Sequence, residues 1–264
     1  MRLPLRLRIS VVFMVVMVVG MTAEAVWLAW EGRPVKGVPL AACAVLLGHV
    51  LGLAGRVWRM PRRSRPAVKL VPAAEGKGVR FGYSGWTYYW LTVLLLVTEV
   101  VAVAVAAGAA LSGSVAGWGV AVVAAAAGVV VGWLLVAMLR LAPGEVVLSP
   151  AGIDHRSLAS TYFVPWHAVV EVSAVWLSTP VIAVLALLSP QARLHSLLGR
   201  RFRTGEVQFL PIMVIRTAWL AADPVTVYHA LSFYHLRPEL RGELTTHDAI
   251  HRIESGRAVR PAQA

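Results

Sequence analysis

Four stretches of this chain, at residues 9–30, 37–57, 87–111 and 115–141, are apolar almost throughout. Each reaches the roughly 20 residues that an α-helix needs to cross the hydrocarbon core of a bilayer. With 58% hydrophobic and 14% charged residues and a mean hydropathy of +0.69, the chain is too apolar for an ordinary soluble domain. The first expectation is a bundle of four transmembrane helices over residues 1–142.

Charge then sets the orientation. Residues 1–142 hold 14 Lys and Arg against 4 Asp and Glu, while residues 143–264 hold 11 against 9. Basic residues near spans resist translocation, so Arg2, Arg6 and Arg8 place the N-terminus on the cytoplasmic side. The connection at 58–86 carries Arg59, Arg62, Arg63, Arg65, Lys69, Lys77 and Arg80 against Glu75 alone and reads as a basic cytoplasmic loop. The short, nearly neutral connections EGRPVK and LSGSVAG read as external hairpins. An even number of crossings leaves the C-terminal half in the cytoplasm.

Aromatic residues mark the boundaries: Trp27 and Trp30, Trp58, the Tyr88-Tyr89-Trp90 run, Trp118 and Trp133, all residue types that favour the headgroup level. Residues 1–25 also have the form of a signal peptide, with a basic start, an apolar middle and Ala23-Glu24-Ala25. Because apolar sequence continues through Trp30, a retained span is the preferred reading. The apolar stretch at 168–188 is long enough for a fifth crossing, but that would put Arg193, Arg200, Arg201 and Arg203 outside. It also contains Glu171 and a Ser178-Thr179-Pro180 break, and reads as two buried strands.

Beyond Leu141 the pattern shortens. Candidate strands fall at 145–149, 153–158, 161–164, 169–176, 181–188, 207–210 and 213–220, separated by turn residues. Alternation across 169–176 suggests a strand with one better-buried face. Asp223 fits a helix N-cap and Pro224 its first position. Val227, Leu231 and Tyr234 share a face before Pro238 ends the run.

The stretches LSPAGIDHRS, FVPWHAVVEV (163–172) and DPVTVYHALSFYHLRPELRGEL (223–244) together resemble the bacterial PH-domain family of membrane-anchored actinobacterial proteins. The resemblance covers residues 143–244. It implies a cytoplasmic α+β domain, a PH-like β-barrel closed by a C-terminal helix, followed by a polar tail at 245–264. It also implies a bacterial inner-membrane location. In eukaryotic lipid-binding PH domains a basic loop between the first two strands grips inositol phosphates. The corresponding loop here is Pro150-Ala151-Gly152, with no basic residue.

Two sets of residues are candidates for function. Glu24, His49 and Glu99 lie within spans, where an ionisable group is costly and needs a partner. They point either to interhelical hydrogen bonding or to a small proton- or cation-coupled transporter. Small residues beside them, including the Gly48/Gly52 and Gly128/Gly132 pairs, allow close helix approach. The second set, Arg59, Arg62, Arg63, Arg65 and Lys69 with Arg193, Arg200, Arg201 and Arg203, suits anionic lipid headgroups or a protein partner. His247, Asp248 and His251 spell H-D-x-x-H, which reads as a solvated terminal helix and not a metal site. The single Cys43 excludes an intrachain disulfide, and no Walker loop, nucleophile elbow or dinucleotide fingerprint is present. The reading is therefore non-enzymatic, with no cofactor, no metal and no nucleic acid. The bilayer, anionic headgroups and a membrane or cytoplasmic protein are the expected partners, and a homo-oligomer is compatible with the sequence.

Overall fold

The computed structural model describes residues 5–58, 68–73, 76–158, 160–177, 179–196 and 208–258. Four long helices come first: α1 (Leu5–Trp30), α2 (Pro34–Trp58), α3 (Gly85–Leu111) and α4 (Val115–Leu141). All four are long and apolar enough to cross a membrane. Their ends follow from local chemistry. Gly32 takes φ +74° and Gly113 φ +66°, left-handed conformations that stop α1 and α3. Pro34 opens α2 where no amide donor is needed, and the Ser114 hydroxyl accepts from the Gly117 amide to cap α4.

The chain divides into two compact units. One contains residues 1–56 and 86–136, which is most of the four helices. The other combines residues 57–85 with 137–264. The connection expected to be a basic loop thus contains a hairpin, β1 (Val68–Ala73) and β2 (Gly76–Gly82), turned at Gly76 with φ +86°.

The remaining strands are β3 (Glu145–Leu148), β4 (Gly152–Arg156), β5 (Ser160–Pro165), β6 (Val169–Leu177), β7 (Thr179–Ala186), β8 (Arg193–Ser196) and β9 (Ile212–Arg216). They form a six-stranded antiparallel sheet in the order β1-β2-β3-β4-β5-β8 and a three-stranded antiparallel sheet in the order β6-β7-β9. The expected closed barrel is not present. β8 turns back onto β5 while β9 joins β7, and residues 208–210 form a helical turn and bend in place of the strand expected at 207–210. The sheets therefore keep separate edges. The strand expected at 213–220 ends at Arg216 and continues as a 3-10 turn, Thr217–Trp219. The 168–188 segment forms the β6–β7 hairpin and not a fifth span.

One face of the larger sheet is a ladder of buried pairs. Val79 lies opposite Leu148, Phe81 opposite Val146, Leu148 opposite Ile153 and Ile153 opposite Val164. The other face carries charge, with Glu145 between Arg80 (2.5 Å) and Arg156 (3.3 Å). Gly152 is required where two strands meet closely, since a Cβ there would fall on the Val164 carbonyl oxygen. β7 and β9 are buried along most of their length, whereas β6 is not. Only Val169 is buried on it, because β6 is an edge strand. The better-buried face expected from its alternation is absent.

Helix α5 (Pro224–Leu236) begins as the sequence suggests, with the Asp223 carboxylate accepting from the Val225 amide. Val227, Ala230, Leu231 and Tyr234 are completely buried. Past Pro238 the chain continues as 3-10 helix through Thr245, then as α6 (His247–Glu254), which buries Ala249 and Ile253. The expected polar tail is thus part of the packed unit as far as residue 258. One cationic network joins these pieces. Arg241 donates to the Tyr234 and His235 carbonyls at the end of α5 (2.8 and 2.9 Å) and stacks over the buried Trp166 ring. Tyr234 donates to Glu243 (2.9 Å), and Arg252 of α6 binds the same carboxylate through two nitrogens (2.6 and 2.9 Å).

Replacing Arg241 by Ala should lower the unfolding free energy of the strand-bearing unit by about 2 kcal/mol, through lost carbonyl bonds and ring contact. Lys at 241 should recover only part, since it cannot bridge two carbonyls as a planar fork. Denaturant unfolding of the full chain, followed by near-ultraviolet circular dichroism, checks both.

Candidate functional site

The three intramembrane residues lie at separate levels. His49 bonds its own helix through Nδ1 and the Val45 carbonyl (2.7 Å) and packs edge-on to Trp90 with ring centroids 5.2 Å apart. Trp90 also fills the notch left by Gly52, which fixes α2 against α3 at this level. Glu99 lies nine residues further along α3, about 13 Å away at the helical rise. It sits against Gly128 and Gly132 of α4, whose missing side chains make room for its carboxylate. Its Oε2 has no hydrogen-bond partner among the described residues. The carboxylate lines a groove of about 470 Å³ whose other walls include Ala106, Ala124 and Val129. Glu24 is exposed, one residue before the Ala25 carbonyl that packs against Gly37. From Gly37 to His49 is twelve residues of α2, about 18 Å, so His49 is remote from both carboxylates.

Of the basic candidates, Arg59, Arg62, Arg63, Arg65, Arg200, Arg201 and Arg203 lie outside the described residues. Arg193 is exposed on β8, outside the strands expected from the sequence. Lys69 is the candidate that falls in a shaped site. It lies on β1 beside a groove of about 450 Å³ between the β1–β2 hairpin and α6. The groove is lined by Val68 to Pro72, Lys77, His247 and Ile250. Lys69, Lys77 and His247 are exposed among its lining residues, and Val68, Leu70, Val71 and Ile250 are buried or half-buried. Two lysines beside an apolar lining suit an anionic group attached to an apolar stem or an acidic peptide segment. His247 was visible in the sequence as part of H-D-x-x-H, but its association with Lys69 was not, because the strand carrying Lys69 was unrecognised. Among the described residues no three His, Cys, Asp or Glu side chains are grouped to hold a metal ion.

A buried polar pair escaped sequence reading. His155 on β4 and Tyr83, just beyond β2, share a hydrogen bond of 2.5 Å between Nε2 and the phenol oxygen, with their rings edge to face. His155 occupies the ladder face between Ile153 and Tyr162, a position that alternation alone marks as interior. Burial pushes its pKa down from 6.5 to about 4, so the ring is neutral near pH 7. On the same strand, burial raises the Asp154 carboxyl, Arg156 draws it back and Glu145 adds to the rise. The His–Tyr pair joins the end of β2 to β4 inside a packed wall, which is a structural position and not an open reaction centre.

No protein-family model, curated protein or solved structure matches the chain. The site is therefore argued from its own chemistry.

The His155 ring protonates at higher pH in the unfolded chain than in the folded one. Its contribution to stability is complete above about pH 6.5 and is lost as pH falls toward 4. Between pH 7 and pH 5 the loss should be about 2 kcal/mol. His155→Gln keeps a hydrogen-bonding group without the titration, and should flatten this part of the stability profile measured by thermal unfolding.

Proposed function

We propose that this chain is a non-enzymatic membrane protein whose spans hold a soluble α+β unit, PH-like in character, at the inner face of a bacterial membrane. There the unit acts as a scaffold for an anionic partner. The observation that carries this reading is the groove between the β1–β2 hairpin and α6, whose lining combines the exposed Lys69, Lys77 and His247 with aliphatic residues. Its position in the chain adds weight. β1 follows directly on Arg59, Arg62, Arg63 and Arg65, so the groove begins where the most basic stretch of the sequence ends. Each basic residue near an anionic surface contributes about 1 kcal/mol. A cationic groove therefore selects acidic partners without any reaction being required of it.

The order of strands followed by a C-terminal helix, with the Pro-Trp motif at 165–166 packed beneath Arg241, supports the PH-like reading. A proton- or cation-coupled transporter would need Glu24, His49 and Glu99 to communicate. His49 lies about 13 Å from Glu99 and about 18 Å from Glu24 along the helices, too far for direct transfer to either carboxylate.

A photoreactive side chain at Ile250, in the full-length protein in native membranes, should crosslink reproducibly to an acidic protein segment or an anionic lipid. Lys69→Glu combined with Lys77→Glu should abolish that product. Crosslinks that survive the charge reversal, or none at all, would remove the scaffold reading of this groove.

A further inference from the structure

The β6–β7 hairpin presents apolar side chains to its surroundings on a strand whose outer edge pairs with no strand among the described residues. Val175 and Leu177 are each 38% exposed and Trp176 is 56% exposed, at the end of the hairpin where Trp176 pairs with Pro180 and Leu177 with Thr179. A tryptophan and a leucine at a strand tip are costly in water, so their surroundings matter.

Their place in the fold is set by a short chain of bonds. The Thr217 hydroxyl donates to the Pro180 carbonyl (2.7 Å), tying the hairpin tip to the 3-10 turn after β9. Two residues on, the Trp219 carbonyl accepts from the Ser84 amide (2.7 Å), and Leu220 bridges to Tyr83. Ser84 immediately precedes Gly85, the first residue of α3. The Tyr83 amide in turn donates to the carbonyl of Gly144 (2.8 Å), three residues past the end of α4. The hairpin tip therefore lies at the end of the soluble unit where the chain passes into two spans. Counted through these bonds, Trp176 is within about 20 Å of Ser84. Close to it in this chain of bonds, the half-buried Arg216 stacks over the half-buried Trp219 ring (5.1 Å). Indole and guanidinium groups are side chains that favour a membrane–water interface.

We infer that the tip of the β6–β7 hairpin is a membrane-surface wedge, with Trp176 and Leu177 inserted at the headgroup level of the lipid bilayer. Insertion is shallow. β6 has an unpaired backbone edge, and such an edge is not tolerated in hydrocarbon, so the side chains dip while the strand remains among hydrated headgroups. The opposite end of the same hairpin supplies an internal comparison. Leu188, just past β7, is 92% exposed and lies roughly 25 Å from the tip by strand rise. The wedge gives the soluble unit an attachment to the membrane besides its chain connections. It rests on the spans crossing a bilayer but not on the scaffold groove, which involves different residues.

The test uses the full chain with Cys43→Ser, so that an environment-sensitive nitrobenzoxadiazole fluorophore can be placed at Trp176→Cys, Leu177→Cys or Leu188→Cys. The protein is held at one copy per nanodisc of phosphatidylethanolamine and phosphatidylglycerol, with nitroxide-labelled lipid added. Labels at 176 and 177 should shift to the blue and lose emission to the nitroxide, while the label at 188 should do neither. Equal quenching at all three positions, or none at 176 and 177, overturns the wedge. So does shielding of the tip that appears only with two or more copies per disc, which would assign the β6 edge to a second copy of the chain. A negative result at the tip leaves crosslinking at Ile250 unaffected, so the two readings fail separately.

Discussion

The pairing of β2 with β3 is the constraint on which the rest of this structure depends. Gly82 lies opposite Glu145 and Phe81 opposite Val146, yet α3 and α4 separate them in the chain. A strand pair tolerates only about 5 Å between partners. The chain must therefore leave the soluble unit after β2, complete two long helices and return to within bonding distance of its departure point. Two helices running in opposite directions satisfy this, and the sheet thus requires α3 and α4 to be an antiparallel pair.

That arrangement also explains which parts of the fold were legible. The spans were readable because oil demands uninterrupted apolar length, and α5 because Asp223 and Pro224 state its start and Val227, Leu231 and Tyr234 its buried face. The β1–β2 hairpin was hidden by its charge: Lys69, Lys77 and Arg80 read naturally as an orientation signal. Alternation at Val79 and Phe81 and a glycine turn at Gly76 were also present. One stretch served two physical roles, and the stronger signal concealed the weaker. β8 was hidden for another reason. Arg193, Leu194 and His195 are all exposed on an edge, so no buried face imposes a period of two on them.

The candidate site followed the same rule. Lys69 was visible as a cation but not as part of a groove, because the groove is made by α6 packing on β1, a contact between residues some 180 apart in sequence. The buried residues of α6 are Ala249 and Ile253, and the helix is held by the Arg252 guanidinium, which donates through two nitrogens to the Glu243 carboxylate. In the sequence this segment looks like a charged tail. The interior side chains are only two per eight residues, too few for a pattern to stand out, and Glu243 supplies by ion pairing what apolar area does not.

The spans present the opposite case. Val, Leu and Ala dominate them, but few residues are buried: Gly37, Ala44, Thr87, Tyr88, Ala121, Gly128, Ala137 and Met138 among those described. In water such sparse packing would leave a helix bundle unstable. In lipid it need not, since a valine gains little by exchanging an acyl chain for another valine, and helix contact is decided by close backbone approach and polar pairing. The Glu99 notch at Gly128 and Gly132 and the Trp90 notch at Gly52 are contacts of that kind, each with a shape that only glycine permits. It follows that apolar exchanges along the outward faces of α1 and α4 should be nearly silent, while filling either notch moves a helix. The soluble unit has the reverse sensitivity, because its ladder of Phe81, Val146, Leu148 and Ile153 is held by water exclusion, where each lost methylene counts. A single chain is thus governed by two different packing rules, and the change from one to the other occurs at the two junctions, Ser84–Gly85 and Leu141–Gly144, that β2 and β3 hold together.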